Sequence, residues 1–600
     1  MKLTILFPIL TAALIVLFYC LLPPLQSCAL SPRLRKKSGR EERTGEILAL
    51  CFITLLYALA AFSHLGDRQA PKTSHVFTSG ESVTLELDGP HSLSRAMAYS
   101  VIGTGGYTLG LSEDGVSFTD ALELEQNYVA LLKWHDLELS GRARYVRLTA
   151  WGEPELGSLT VYDETGAPLA WRTTGVLTDE QSLTPDKPTF LNSCYFDEIY
   201  HARTALEHMR GIYPYEISHP PLGKLLIALG MVIFGVNPFG WRFMGTLFGV
   251  LMLPLLYLFA RRLFGRGLVP ICCTLLLGAD FMHFVQTRIA TIDTYGVFFT
   301  LLMYAFMYRW LFPEGSNPLA PSSGEGRKRD LALSGLFFGL GAACKWTCLY
   351  AGAGLGVIWA LHWALRLRRE GRRAFGALGK NILFCLVFFV ALPAAIYYVS
   401  YYPYGVGKGL TPGTGLLFRG EYLQCVLDNQ SYMFRYHSGV NASHPYSSRW
   451  YQWMLDIRPI LYYLDYEGST RASFGAFTNP VLCWAGLLGL FVLGWCALAR
   501  RDRRALFLLL GYLAQLLPWV FISRITFAYH YFPCALFLTL VLGYVFCLLR
   551  DNVRAGRRAV LGLTALSVLV FIFFYPALWG QYLDTSKASL LYRWLKTWPF

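Results

Sequence analysis

Residues 195–224 read YFDEIYHARTALEHMRGIYPYEISHPPLGK and lie where a long polar region gives way to a series of apolar spans. Two adjacent carboxylates (Asp197, Glu198), three imidazoles (His201, His208, His219) and several cations are crowded into this stretch. Ionisable side chains beside a membrane are costly to leave unpaired, so such a cluster marks a functional region. After Asp197 the run EIYHARTALEHMR is rich in helix formers and is closed by Gly211 and Pro214, which predicts a short helix. At helical spacing Asp197 and Glu198 both reach the face of His201. Asp197 is placed to cap that helix through its carboxylate. Capping accounts for one acid and leaves HPPLGK unexplained. There, two prolines impose an extended entry and Gly223-Lys224 open the apolar run LLIALGMVIFG.

The surrounding composition is that of an integral membrane protein. The 600 residues are 54% hydrophobic, 16% aromatic and 15% charged, against about 25% charged in ordinary soluble domains. The formal charge is +14, but the basic residues fall in short clusters between apolar spans. That is the pattern of cytosolic loops, and it argues against nucleic-acid binding. Most of the 14 cysteines that can be placed lie in apolar spans (Cys272, Cys273, Cys344, Cys385, Cys483, Cys547) and act as small hydrophobes. Cys194 and Cys425 stand in predicted outer loops, and sequence leaves open whether they pair.

Four regions follow: 1–72, two N-terminal membrane helices joined by a basic cytosolic loop; 73–172, a β-domain; 173–239, a catalytic outer loop; and 240–600, a transmembrane core with a large outer loop at 401–478. The span at 3–22 has the look of a signal peptide. The strongly basic SPRLRKKSGREER after it favours a retained helix with its N-terminus outside, followed by a crossing at 46–63. Residues 73–172 alternate apolar and polar positions in short runs (SVTLELDG, YTLGLSEDG, ARYVRLTAWG, GSLTVYDETG), the signature of an antiparallel β-sandwich. The order SEDGVSF, ARYVRLTA, LTVYD resembles discoidin-type, galactose-binding-like domains. Such domains serve as sugar binders or as packing modules; Trp134, His135 and Trp151 are the candidates for stacking on a carbohydrate, each more readily explained as core or surface filler.

Further crossings are expected at 240–262, 267–285, 290–311, 331–348, 350–365, 381–400, 479–499, 504–522, 528–549 and 559–579, about twelve in all. ARRLFGRG, GRKRD, RLRREGRR, ARRDRR and RDNVRAGRR mark their cytosolic ends. This topology puts the sandwich and the 180–239 and 401–478 loops on one outer face.

FDE, HPPLGKLLIALG and NPFGWRFMGTLFG, in this order, resemble the first outer loop of the protein O-mannosyltransferase family. The likeness extends over about residues 190–600 and leaves out the sandwich. It implies a membrane enzyme of the C-type glycosyltransferase fold that uses a polyprenyl-phosphate sugar donor. It also implies that HPPLGKLLIALGMVIFG lies along the outer membrane surface. Eukaryotic members carry a different β-rich module in the later large loop. This chain has about eighty residues there, as a bacterial form would.

Glycosyl transfer from a lipid phosphate needs a base for the acceptor hydroxyl, cations for the leaving phosphate and a pocket for the sugar. Asp197 is the expected base, with Glu198 beside it to orient a hydroxyl; two carboxylates this close should push their ionisations apart. The donor phosphate is expected to meet Arg288 (in HFVQTRIATIDTY, similar to the family's Arg-Ile-Ala-x-x-Asp segment), Lys345 (in GAACKWTCLY, similar to its Lys-Trp motif), His219, Lys224 and Arg524. Arg524 and His530 lie in SRITFAYHYFP, which resembles the family's Tyr-His-Tyr segment. Each such cation has snorkelling to the interface as its ordinary alternative, and Asp293 has a structural pairing with Arg288 as its own. Sugar or acceptor contacts are expected from His201, His444, Trp450, Trp453, Arg458 and His530, on the likeness of HPYSSRWYQWMLDIRPILYY to bacterial members. Trp450 and Trp453 also suit an interfacial aromatic belt. Asn441-Ala-Ser443 reads as a glycosylation sequon.

No metal or other cofactor is expected. DExxH at 197–201 is not the HExxH of zinc proteases, and no DxD faces the cytosol. The resemblance implies an inverting transferase moving mannose to Ser or Thr hydroxyls at the outer face of a bacterial plasma membrane. Its partners would be a lipid-linked donor, a protein or polymer acceptor and membrane lipids. The alternatives are a same-fold enzyme modifying a lipid or wall polymer, as aminoarabinose transferases do, and a sugar-sensing receptor whose sensor is the sandwich. A transporter is disfavoured, since no internal repeat is visible.

Overall fold

The computed structural model describes residues 40–313, 325–440 and 442–600, with the side chains of 40–43 left aside. The expected span at 3–22, most of the basic segment after it and Asn441 of the sequon lie outside the described residues. The described residues divide into two compact units, 64–216 with 224–244, and 40–63 with 217–223 and those from 245 to 600.

In chain order the helices are α1 (Arg40–Phe62), α2 (Glu198–Arg210), α3 (Leu222–Phe234), α4 (Pro238–Phe264), α5 (Leu268–Gly278), α6 (Phe281–Thr287), α7 (Asp293–Leu311), α8 (Lys328–Cys344), α9 (Thr347–Glu370), α10 (Phe375–Leu386), α11 (Leu392–Ser400), α12 (Tyr402–Gly407), α13 (Gly420–Gly439), α14 (Trp450–Met454), α15 (Pro480–Ala499), α16 (Arg503–Val520), α17 (Phe532–Asn552), α18 (Gly556–Trp579) and α19 (Thr585–Tyr592). The strands are β1 (His75–Val76), β2 (Ser82–Ser112), β3 (Thr119–Gln126), β4 (Lys133–Asp163), β5 (Ile460–Glu467), β6 (Thr470–Ala476) and β7 (Leu583–Asp584).

The smaller unit holds an antiparallel sheet of order β1-β4-β2-β3. The separate short strands expected from the sequence are fused into two strands of 31 residues each. Residues Arg95–Ser100 of β2 pair with 133–138 on one side and 156–162 on the other, so β4 flanks β2 twice and the sheet folds over on itself. Phe77, Leu85, Tyr107, Val146, Leu159 and Val161 are buried inside the fold. Gly105, at φ 134°, marks the bend: a Cβ there would sit 1.9 Å from the Trp151 carbonyl oxygen.

The larger unit is mostly helical. Among the described residues six helical runs are long and apolar enough to cross a membrane: Thr44–Phe62, Pro238–Phe264, Thr347–Gly407, Pro480–Ala499, Ala528–Asn552 and Gly556–Trp579. The pair α5–α6, bent by 56°, makes a seventh. The segments expected to cross at 290–311, 331–348 and 504–522 form the shorter or more polar α7, α8 and α16. The 61-residue run 347–407 is three times what one crossing of about 20 residues requires. It is interrupted by a 3-10 turn at Gly371–Ala374, just after the basic end of α9. α3 has 13 residues, about 20 Å of helix, too short to span.

The α5–α6 bend leaves backbone groups that need partners within the protein. Asp280 supplies one by capping α6 through the His283 N–H, and it also accepts the Asn479 N–H at 2.8 Å. Asn479 in turn donates to the Ala279 carbonyl at 2.7 Å and the Ser567 carbonyl at 3.0 Å. The loop at 401–478 is not irregular. It carries α12, α13, α14 and the β5–β6 hairpin, none of which the sequence reading had placed.

Candidate active site

In the smaller unit the helix predicted after Asp197 is α2. Its first turn carries Glu198 and its last Arg210, both favourable to the helix dipole. Gly211 closes it at φ 67° with its N–H on the Glu207 and His208 carbonyls. Asp197 takes the N-cap position through its carbonyl, which accepts the N–H groups of Tyr200 and His201 at 3.1 Å. Its carboxylate makes no capping bond, and the residue is half-buried. Phe196, immediately before it, sits at φ 48°. A bulky side chain in that region costs about 1–3 kcal/mol, strain that clusters at functional sites.

Glu198 does not share the role expected of it. It is fully buried, with its oxygens held by Arg242 Nε and Nη2 at 2.7 Å each, and by the Trp241 indole and the Tyr195 N–H at 3.3 Å. Arg242 is completed by the carbonyls of Leu65 at 2.9 Å and Ser193 at 3.0 Å. The two acids are therefore not a dyad, because Glu198 is committed to holding α2 and α4 in register.

Lys224 is likewise committed. It is buried, ion-paired with the Glu216 carboxylate, and donates to the Glu216 carbonyl at 2.7 Å. Burial pulls its ammonium below the usual lysine range, and Glu216 opposes that fall. His201 and His208 are buried on α2; burial, with Lys224 nearby, drives His208 down to about 3.

Beside Asp197 the smaller unit presents a feature the sequence reading missed. The rings of Tyr128, Tyr200 and Tyr215 lie 6.3–6.4 Å apart in all three pairs and within 17° of parallel. Three equal spacings exclude a linear stack, so the rings tile a patch, and Tyr128 and Tyr215 are exposed. The 212–216 loop that carries Tyr215 is fixed to α2. Glu207 accepts the Tyr215 N–H at 2.6 Å, and the Arg203 guanidinium lies 4.1 Å over the Tyr215 ring. Of the carbohydrate candidates on the sheet, Trp134 is core, packed 5.1 Å from Tyr99, and His135 bonds the Ala130 carbonyl. Trp151 is exposed, its ring lying over Gly106. Cys194 and Cys425 are both free thiols.

In the larger unit a pocket is lined by Asp293, Tyr350, Gln515, Trp519 and His530, among others. Lys345 pairs with Asp293 at 2.6 Å and lies 5.4 Å from the Tyr529 ring. His219 packs edge-on to His437 at 5.2 Å, and His437 also meets Trp346 at 6.0 Å. The charges of Lys345 and Arg524, and that of His219, bear on both His437 and His530. Burial first, then His219, Arg524 and Lys345, push His437 down to about 4, against the Ser218 carbonyl that its Nε2 holds at 2.7 Å. Two cations and three imidazoles thus gather here, with Asp293 pairing Lys345. Such a cluster of donors suits an anion held by charge-assisted hydrogen bonds. The structure brings together Lys345, His219 and Arg524, expected at the donor phosphate, with His530, expected at the sugar or acceptor. His437, Tyr350 and Trp519 were not expected; the signal available was a histidine in SYMFRYHSG, a polar helix of an outer loop.

Other expectations are redirected. Arg288 donates to the carbonyls of Ala61 at 3.0 Å and Ser63 at 2.8 Å, satisfying the C-terminal end of α1. Asp293 pairs with Lys345 rather than with Arg288. Trp453 is buried behind the pocket wall, its indole on Ser448 Oγ at 2.8 Å and its ring against Trp519 and His530, so it offers no face to a sugar. Trp450 packs on Tyr451, His444 on Phe527, and Arg458 donates to the Pro445 carbonyl at 2.5 Å. None of these three lines the pocket.

Two family models match the chain: dolichyl-phosphate-mannose-protein mannosyltransferase over residues 231–404, and the C-terminal four-transmembrane region of protein-O-mannosyltransferase over 422–598. Together they cover more than half of it and begin after Asp197. The polyprenol-phosphate-mannose–protein mannosyltransferase of Mycolicibacterium smegmatis strain MKD8 is 28% identical over 485 residues, covering 71% of this chain and 93% of the relative. The corresponding Mycobacterium tuberculosis protein is 28% identical over 430 residues, covering 64% and 81%. Among solved structures, the Saccharomyces cerevisiae protein O-mannosyltransferase Pmt1–Pmt2 complex bound to the sugar donor superposes with a TM-score of 0.57 at 14% identity, over 68% of this chain and 89% of that one, a likeness of fold. With the motifs, the helical architecture and these matches in agreement, the chain belongs to the protein O-mannosyltransferase family.

Proposed function

We propose that the protein transfers mannose from a polyprenyl-phosphate donor to Ser or Thr hydroxyls of proteins, at the outer face of a bacterial plasma membrane. The observation that carries this reading is the pocket at Asp293, Tyr350, Trp519 and His530, with Lys345, Arg524, His219 and His437 gathered about it. Lys345 and Arg524 hold the donor phosphate and stabilise it as it leaves. The imidazoles donate hydrogen bonds to its oxygens. Asp197, whose carboxylate is not used to cap α2, takes the proton of the acceptor hydroxyl. The hydroxyl oxygen then forms the new bond to the anomeric carbon as the bond to phosphate breaks, so a β-linked donor gives an α-linked product. Glu198 acts through Arg242 as a positioning residue. The Tyr128–Tyr200–Tyr215 patch is a surface for the acceptor polypeptide, since flat aromatic faces bind extended chains with little loss of side-chain entropy.

The test is transfer from radiolabelled polyprenyl-phosphate mannose to a panel of Ser/Thr-rich peptides by the detergent-purified protein, with Asp197→Asn alongside. Labelled peptide with the wild type and none with the variant supports the reading. Consumption of donor only after addition of lipid or wall extracts moves the activity to a polymer-directed transferase. No turnover with any acceptor supports the sensor instead.

A further inference from the structure

The sheet of the smaller unit lies outside the residues that the two family models match, yet it holds the segment that carries Asp197 at both ends. At the near end the Cys194 N–H donates to the Leu132 carbonyl at 2.9 Å, and the Trp134 N–H donates to Ser193 Oγ at 3.1 Å. Leu132 is fully buried and is itself tied to β2, its N–H on the Val101 carbonyl at 2.9 Å. At the far end Arg210, in the last turn of α2, pairs in two prongs with Glu155 of β4, at 2.7 and 3.0 Å. Glu155 is buried and also accepts the Ser74 hydroxyl. The carboxylate is therefore fixed within the sheet, and Arg210 reaches it from the surface.

Strain marks the near junction. Leu132 stands at φ 50° and Phe196 at φ 48°, in a region that bulky residues avoid. Such a conformation persists only where its surroundings over-determine it. Among the described residues five that are not glycine have positive φ, and two of them flank this one pair of hydrogen bonds. Phe196 immediately precedes Asp197. The anchors at 132–134 thus set where the chain turns into α2, and Glu155 sets the direction of the helix that follows. The loop between β3 and β4 that supplies Leu132 also presents Tyr128 to the tyrosine patch.

Resting on the reading of Asp197 as the base, we propose that the sheet belongs to the acceptor side of the catalytic apparatus. Glu155 and Ser193 are positioning residues that act through α2 to hold the Asp197 carboxylate at the acceptor hydroxyl. A misplacement of about 1 Å between reacting groups can lower a rate about 100-fold, so a base needs such a frame. A module that merely covered the surface would need neither a buried carboxylate committed to Arg210 nor two strained residues beside the base.

The test uses the full chain in detergent and measures peptide transfer, retention of polyprenyl-phosphate mannose and backbone amide exchange. Glu155→Ala is expected to lower kcat about tenfold while donor retention and the KM for donor hold. It should also speed exchange at the amides of α2 and leave the strands as they were. Ser193→Ala should act in the same way, and Ser193→Thr and Arg210→Lys, which keep the contacts, should retain most of the rate. Should Glu155→Ala fail to fold, the two Ser193 variants decide the matter. The proposal is overturned by an unchanged kcat in Glu155→Ala and Ser193→Ala, by a fall in donor retention that matches the fall in kcat, or by Ser193→Thr losing as much rate as Ser193→Ala. Absence of transfer by the wild type overturns the reading of the function itself, and this inference with it.

Discussion

Arg242 and Lys345 are both buried cations paired with a carboxylate, yet their surroundings differ in one decisive respect. Around Arg242 each charge has its answer: Glu198 meets it along two edges, and carbonyls take further N–H groups. Around Lys345, which Asp293 pairs, a second cation and three imidazoles gather, with a pocket next to them. A balanced cluster without a cavity fixes the fold. An unbalanced one beside a cavity is arranged for a charge that arrives from outside. The same contrast separates Arg288 and Lys224, spent on carbonyls and on Glu216, from Arg524.

The strongest way to break this comparison is to remove one partner of the balanced pair. Arg242→Ala leaves a buried carboxylate without its cation and should cost about 3–5 kcal/mol of stability, read as a large fall in melting temperature in detergent. The double change Arg242→Met with Glu198→Gln should recover most of it. An Arg242→Ala protein as stable as the wild type would remove the structural role assigned to that pair. Lys345→Gln should do the reverse, leaving the protein folded while kcat/KM for donor falls about 100-fold, or about 2.7 kcal/mol in the barrier.

A smaller effect follows from His437, held down at about 4 against an ordinary value near 6.5. An arriving phosphodiester favours the protonated ring and raises its pKa, so the complex binds more protons than the free protein. Donor affinity should therefore rise as pH falls from about 6.5 towards 4, by a few-fold, and His437→Gln should flatten the dependence. The same depressed values at His437 and His208 mean that the unfolded chain binds protons first. Stability should accordingly fall as pH drops below about 6.5. Smallest of all, Tyr200→Ala should raise the KM for peptide acceptor by about 3–10-fold while kcat and donor affinity hold, since one aromatic contact is worth about 0.5–1.5 kcal/mol.

What the sequence disclosed and what it withheld divide along the same physical line. α2 was legible because its start, composition and Gly211 stop are local, and Lys345 because Lys-Trp is a compact motif. The partner of Glu198 is 44 residues away, and no local rule distinguishes a carboxylate aimed at Arg242 from one aimed at a substrate. His437 looks like any polar residue of an outer-loop helix until α13 is seen against Ser218 and His219. The tyrosine patch draws on three separate segments. In the sheet, the glycines near 103–106 and 152 read as turns between short strands, whereas they are bends within the two long ones.

The central claim is that Asp197 and the Lys345 pocket do different jobs in one reaction. It is tested most directly by measuring, on the same preparations, retention of radiolabelled polyprenyl-phosphate mannose and its transfer to peptide. The account predicts that Asp197→Asn retains the donor at wild-type affinity and transfers nothing, while Lys345→Gln fails to retain it. Transfer by Asp197→Asn at the wild-type rate, or undiminished donor retention by Lys345→Gln, would contradict it.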